Sequence, residues 1–160
     1  MKKLLVVLSS LMLLVTLAAC GNGTPKNDAS AAVPNPIAPS TAEEIQSKLG
    51  ISIAVPKDAT EVAYTIIADK TAQADFTLNN TACNYRIEKA DALLDISGMY
   101  YEWTTKKDCK VGSYNGQLRL IDGKQGYCSW FDDSQKLLHS VSVESGASEE
   151  SLLAVANSLL

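Results

Sequence analysis

Alternation of apolar and polar residues dominates the middle of the chain. Over residues 81–87, Cys83, Tyr85 and Ile87 fall on one side and Ala82, Asn84 and Arg86 on the other, the period of two expected of a strand with one buried face. Residues 72–78 place Phe76 and Leu78 two apart, and Asn79-Asn80 between the two runs supplies residues that tolerate the positive φ of a tight hairpin. Residues 62–68, with Tyr64 and Ile66 on one face, predict a further strand, and Asp69-Lys70 a polar turn. Residues 51–56 alternate Ile51, Ile53 and Val55 with small residues and stop at Pro56, as an edge strand does. Beyond residue 97 the pattern predicts strands over 98–103, 109–111, 117–121, 127–131 and 137–143. Turn-forming residues separate them, notably Lys106-Lys107-Asp108, the stretch 112–116, Asp122-Gly123 and the stretch 132–135. Residues 89–97 carry Ala90, Ala92, Leu93, Leu94 and Ile96 and are read as a helical turn between strands.

Two segments change period. In residues 40–50, Ile45 and Leu49 share one helical face. Ser40 with Glu43, or Thr41 with Glu44, forms a capping box, and Gly50 can take the left-handed conformation that ends a helix. Near the end, Ser148 can cap a helix whose first turn carries Glu149 and Glu150, and Leu152, Val155 or Ala156, and Leu159 recur at helical spacing. Several short strands with local turns imply an antiparallel sheet. The expected class is therefore α+β: a β-meander sheet of about six to eight strands with an N-terminal and a C-terminal helix packed on it.

The first residues follow neither period. Lys2 and Lys3 precede an apolar run from Leu4 to Leu17 of roughly 14 residues, short of the about 20 a membrane-spanning helix needs but suited to a signal peptide. Leu17-Ala18-Ala19-Cys20 resembles the lipobox of bacterial lipoproteins. That resemblance implies cleavage after residue 19, a diacylglyceryl group on the Cys20 sulfur, and attachment to the membrane by two acyl chains. An uncleaved anchor, or a plain secretory signal, is the alternative. By the same resemblance, Gly21 after Cys20, and not Asp, does not mark retention at an inner membrane, which implies anchoring at the outer face of the cytoplasmic membrane, or at an outer membrane where the host has two. Residues 20–40, rich in Gly, Asn, Ala, Ser and Pro, read as a tether, and 41–160 as one extracytoplasmic domain.

Composition narrows the partners. The 14 Lys and Arg against 18 Asp and Glu give a formal charge of −4, more negative once Lys2 and Lys3 are removed. A surface of that balance has no general attraction for nucleic acid or anionic lipid head groups. Outside the cytoplasm disulfides persist, so one pair is expected among Cys83, Cys109 and Cys128. Spacing alone does not choose it, although the strand-like positions of Cys83 and Cys109 give that pair a slight preference. The cysteine spacings match no zinc pattern and His139 is the sole histidine, so neither a metal nor a cofactor is expected.

Particular residues suggest a family. Lys110-Val111-Gly112, Ser129-Trp130-Phe131-Asp132-Asp133, His139-Ser140-Val141-Ser142-Val143 and residues 148–156 resemble an extracytoplasmic domain of unknown function common in Firmicute lipoproteins. The same kind of domain forms the outer part of membrane proteins similar to anti-sigma factors. Residues 95–103 resemble the central strand of such lipoproteins. The resemblance covers roughly residues 41–160 and implies a location and a host class, with no catalytic residues.

No catalytic constellation stands out. His139 shares a face with Val141 and Val143 and reads as a partly buried structural histidine. Asp132-Asp133 and Glu149-Glu150 are neighbours in sequence, which suits a turn and a helix N-terminus better than a reacting pair. Tyr100, Tyr101, Trp103 and Trp130 are the candidates to face a ligand such as sugar or peptide, against the commoner role of aromatic strand residues in the core. The expected function is a non-enzymatic binding, sensing or accessory module at the cell surface, with an unknown protein or small-molecule ligand. The alternatives are a regulatory or structural partner of a membrane signalling protein, and a hydrolase of envelope polymers.

Overall fold

The computed structural model describes residues 35–160. The expected signal peptide over 1–19, the lipidation site Cys20 and most of the tether lie outside those residues. Eight strands follow in chain order: β1 (Ile37–Ser40), β2 (Thr60–Ile67), β3 (Thr71–Leu78), β4 (Thr81–Lys89), β5 (Thr105–Val111), β6 (Tyr114–Ile121), β7 (Gln125–Asp132) and β8 (Leu137–Val143). Helix α1 (Ala42–Leu49) lies between β1 and β2, and α2 (Glu149–Ser158) ends the chain. All strands join one antiparallel sheet in the order β1-β2-β3-β4-β8-β7-β6-β5. The α+β architecture, with a helix from each end of the chain packed on a meander sheet, is the expected one.

Two local meanders, β1 to β4 and β5 to β8, meet where β4 pairs with β8 from Cys83↔Val143 to Lys89↔Leu137. Period-two alternation gives the sheet one apolar face. Ala74, Tyr85, Val141, Cys128 and Leu118 are buried across its centre, and Ile45 of α1 and Leu152 of α2 are fully buried against it. Each helix starts where a side chain relieves its unpaired amides. Thr41 and Glu44 form the capping box of α1, Ser148 and Ser151 that of α2, and Gly50 ends α1 at φ 64°.

Four predicted elements differ, the first being the charged stretch Lys106-Lys107-Asp108, read as a turn, which lies inside β5 and pairs with β6. Residues 51–56 form no strand, because Ile37–Ser40 already occupies the free edge of β2, pairing from Ile37↔Ile67 to Ser40↔Tyr64. Ile51 and Ile53 are buried all the same, in an irregular link of the core. Strand β1 itself falls within the stretch read as tether. Residues 89–97 hold no helical turn and 98–103 no strand. The chain must pass from β4 to β5 while β8, β7 and β6 lie between them, so residues 90–104 cross the sheet as a strap. Among the described residues, no helix is long and apolar enough to cross a membrane.

Candidate functional site

The strap lies over the second, polar face of the sheet, and Arg86 holds it there. Arg86 points away from the face of Cys83, Tyr85 and Ile87. It donates from Nε to Gln73 Oε1 at 2.8 Å and from a terminal nitrogen to the Ile96 carbonyl at 3.1 Å. Gly98, at φ 73°, lies directly against the guanidinium, where a Cβ would collide. Before it, Asp95 Oδ1 accepts from the Ser97 amide at 2.9 Å and hydroxyl at 2.7 Å, and Ser97 Oγ accepts from the Met99 amide at 3.1 Å. These local bonds compete with both helix and ladder, which accounts for the irregular backbone. Ser97 and Met99 are buried, while beneath the sheet's polar surface Ser129 donates to Ser140 at 2.9 Å with both residues buried.

Aromatic residues follow the glycine. Tyr100 is 92% exposed and Tyr101 50% exposed. Trp103 stands edge-on to Tyr101 at 5.5 Å and edge-on to buried Tyr127 of β7 at 5.4 Å, an arrangement favoured by the ring quadrupoles. Thr104 Oγ1 then donates to the Leu120 carbonyl at 3.0 Å, fixing the strap's far end. Burial first, and then the Asp95 carboxylate, hold the Tyr127 phenol above its ordinary pKa. Tyr127 is therefore a neutral support for Trp103. Two exposed tyrosines thus sit on a segment tied down on both sides.

Tyr100 also borders a shallow hollow of about 170 Å³ on the polar face, with Lys70, Arg86, Glu88 and Asp95 among its lining residues. Lys70 and Glu88 form an ion pair at 3.1 Å across its wall. A separate hollow of about 300 Å³ is lined by Glu61, Asp75, Asn84, Ser142 and Glu144. Its central carboxylate is already satisfied, since Asp75 accepts from Asn84 at 2.6 Å and from Gln73 at 2.8 Å. The larger hollow therefore offers a partnered polar wall, and the smaller one combines an exposed aromatic ring with charged groups of both signs.

Trp130, expected among the ligand-facing aromatics, is 1% exposed. The alternation of β7 turns it to the helix-covered face, where its ring stacks on His139 at 5.0 Å and on Tyr85 at 6.1 Å. His139 Nδ1 and the Tyr85 hydroxyl share a hydrogen bond of 2.8 Å. Burial lowers His139 to about 4 and raises Tyr85 above the ordinary phenol range. The histidine thus packs on the helix-covered face with Val141 and Val143, the side its strand pattern indicates. Asp132 likewise belongs to a turn: it accepts from Ser134 and Gln135 and from the Tyr114 hydroxyl, which hold its carboxyl down at about 2.

The cysteines correct the preference for Cys83 with Cys109. Strands β8, β7 and β6 separate those two residues, so their sulfurs cannot meet. Cys83 is buried, and burial pushes its thiol up to about 11. Cys109 and Cys128 face each other at 3.6 Å, as thiols and not at bonding distance. Among the described residues no group of acidic, histidine or cysteine side chains is arranged to hold a metal ion. Sequence reasoning missed Arg86 and Gly98. Their signal was present, in an arginine on the face opposite the apolar row and in a glycine within an aromatic run.

No family model matches the chain, and neither a curated protein nor a solved structure matches it.

Proposed function

We propose that the chain is an exported lipoprotein, anchored through a diacylglyceryl group on Cys20, whose domain binds a glycan or peptide ligand without catalysing a reaction. The lipobox-like Leu17-Ala18-Ala19-Cys20 supports the address. The observation that carries the binding role is the pair Tyr100 and Tyr101, exposed on a strap that Arg86 and the Trp103–Tyr127 contact hold in place. Aromatic rings presented with little freedom to lose are efficient contact surfaces for sugar faces and peptide side chains. The neighbouring hollow adds Lys70, Glu88 and Asp95 as polar partners.

The test uses the two tryptophans. Trp103 is half-buried beside Tyr101, while Trp130 is enclosed. Soluble peptidoglycan fragments, glycan and peptide separately, are titrated against the full chain while acrylamide quenching is followed. Protection of Trp103 that disappears in Tyr100→Ala/Tyr101→Ala supports the reading. Unchanged quenching with both fragments sinks it for this ligand class. A second reading, partnership with a membrane signalling protein, is favoured by Leu94, 59% exposed on the same strap. It predicts that Leu94→Glu weakens co-purification of a membrane protein, whereas Tyr100→Ala/Tyr101→Ala leaves it unaltered.

A further inference from the structure

We infer that Cys109 and Cys128 form a reversible dithiol–disulfide pair that fastens the edge strand β5 to β7 across β6, leaving Cys83 as the spare thiol. Strands on either side of a third lie about 9.5 Å apart in a flat sheet, whereas bridged cysteines keep their Cα atoms within about 7 Å. The two residues are also staggered, since Cys109 pairs with Gly116 while Cys128 pairs with Leu118. Their sulfurs nonetheless stand 3.6 Å apart.

Gly116 makes the approach. A Cβ there would lie 3.2 Å from Cys109 Sγ and 2.6 Å from the Ser129 carbonyl oxygen. The absent side chain leaves the notch over which Cys109 leans toward Cys128. A larger residue there would press on the Cys109 sulfur and on the Ser129 carbonyl. Closing the remaining gap to about 2 Å draws β5 inward. That strand can move, because among the described residues β6 is its only partner in the sheet and its far side is an edge. Cys109 is partly exposed on an edge strand, so a soluble thiol can reach the bridge, which suits a reversible link better than a permanent staple.

The two thiols have unequal roles. Cys109 is partly exposed at the edge, and the contact from Cys128 lowers its pKa. Cys128 is fully enclosed, and Cys109 together with burial raises it. Cys109 is therefore the thiolate that attacks a disulfide-bearing oxidant. It forms a mixed disulfide and releases one thiol of the oxidant. Cys128 then loses its proton and attacks Cys109 Sγ, expelling the second thiol. Two electrons and two protons pass from the protein dithiol to the oxidant, which leaves as two thiols. Such oxidants act where disulfides persist.

The experiment treats the full chain with excess oxidised glutathione and maps each cysteine by alkylation and peptide mass. The expected result is loss of alkylation at Cys109 and Cys128 together, a linked peptide pair lighter by two hydrogens, and Cys83 alkylated as before once the chain is unfolded. Dithiothreitol without denaturant should restore both thiols. In Cys128→Ala, glutathione should remain on Cys109, and in Cys109→Ser neither remaining thiol should react in the folded chain. A bridge that includes Cys83, glutathione retained on Cys109 in the unaltered chain, or three unreacted thiols would each overturn the assignment.

Discussion

His139 offers a stability test whose size follows from its surroundings. Its ring stacks on Trp130 with planes 4° apart, shares a hydrogen bond with Tyr85, and is held at about 4 by burial, against 6.5 for the unperturbed group. The folded state thus binds this proton less readily than the unfolded chain. The stabilisation is complete above the unfolded value of 6.5 and is lost as pH falls through that value toward 4, because only the unfolded chain gains the proton there. At about 1.4 kcal/mol per pKa unit, the linkage removes roughly 2 kcal/mol between about pH 7.5 and about pH 5. Most carboxylates remain ionised across that interval, so the histidine dominates it. Urea unfolding followed by Trp130 emission, at several pH values, measures the slope. His139→Phe keeps a flat ring against Trp130 and removes the titration. Its stability at neutral pH should fall by about 1–3 kcal/mol because the Tyr85 hydroxyl loses its partner, and its pH slope should flatten. Parallel slopes for the two proteins across the interval would refute the argument.

Other perturbations probe separate parts of the molecule. Gly98→Ala introduces a side chain at φ 73° against Arg86, so the strap should lift. The expected result is increased acrylamide quenching of Trp103 with the sheet's circular dichroism intact. Leu152→Ala opens space beside Gly126, whose missing Cβ already lets Leu152 approach. It should cost about 2–5 kcal/mol in chemical unfolding, as buried Leu truncations do. Thr41→Ala removes the acceptor for the Glu44 amide at 3.2 Å and should cost about 1 kcal/mol, most of it recovered by Thr41→Ser. Asp132, held at about 2 by its hydroxyl and amide donors, contributes stability present above its unperturbed value of 3.8 and lost as pH falls toward 2. Asp132→Asn should remove that acid-side dependence, read by thermal unfolding at stepped pH.

Strands with one buried face were readable because each side chain's side follows from its parity. Cys83, Tyr85 and Ile87, or Val141 and Val143, leave no other register. The caps of both helices were equally plain, since Ser, Thr and Glu in those positions satisfy amides next to them in sequence. Elements decided by distant strands were hidden. Residues 98–103 have strand-like composition, yet their path is dictated by the position of β5 at the far edge, which no local pattern encodes. Ile51 and Ile53 show the same limit: burial was legible, the ladder was not, because Ile37–Ser40 had taken the edge. The candidate site divides in the same way. Tyr100 and Tyr101 stood out as aromatics, whereas Trp130 could be assigned to the core only once β7 was flanked by β6 and β8. Cys109 and Cys128 meet through a gap left by a glycine in the strand between them, a relation among three strands that cysteine spacing does not express.

Strand β1 has a mechanical consequence. Were the chain tethered at Cys20 as proposed, tension between the membrane and a ligand on the strap would enter the fold at Pro36, whose carbonyl takes the Ala68 amide, and pass into a four-residue strand. Its ladder bonds run across the strand direction, so a pull along the strand strains them together, while a sideways pull breaks them one after another. Pro39 falls out of phase with Pro36, whose carbonyl takes the Ala68 amide at 2.8 Å, and so turns its nitrogen to the free edge at no cost to that ladder, and α1 beyond it is secured by the wholly enclosed Ile45. Force should therefore detach β1 first, lengthening the tether by about 3.4 Å per released residue, while the seven strands behind it stay paired. On the proposed reading, such a short edge strand would act as a mechanical fuse between a lipid anchor on Cys20 and a ligand on the strap.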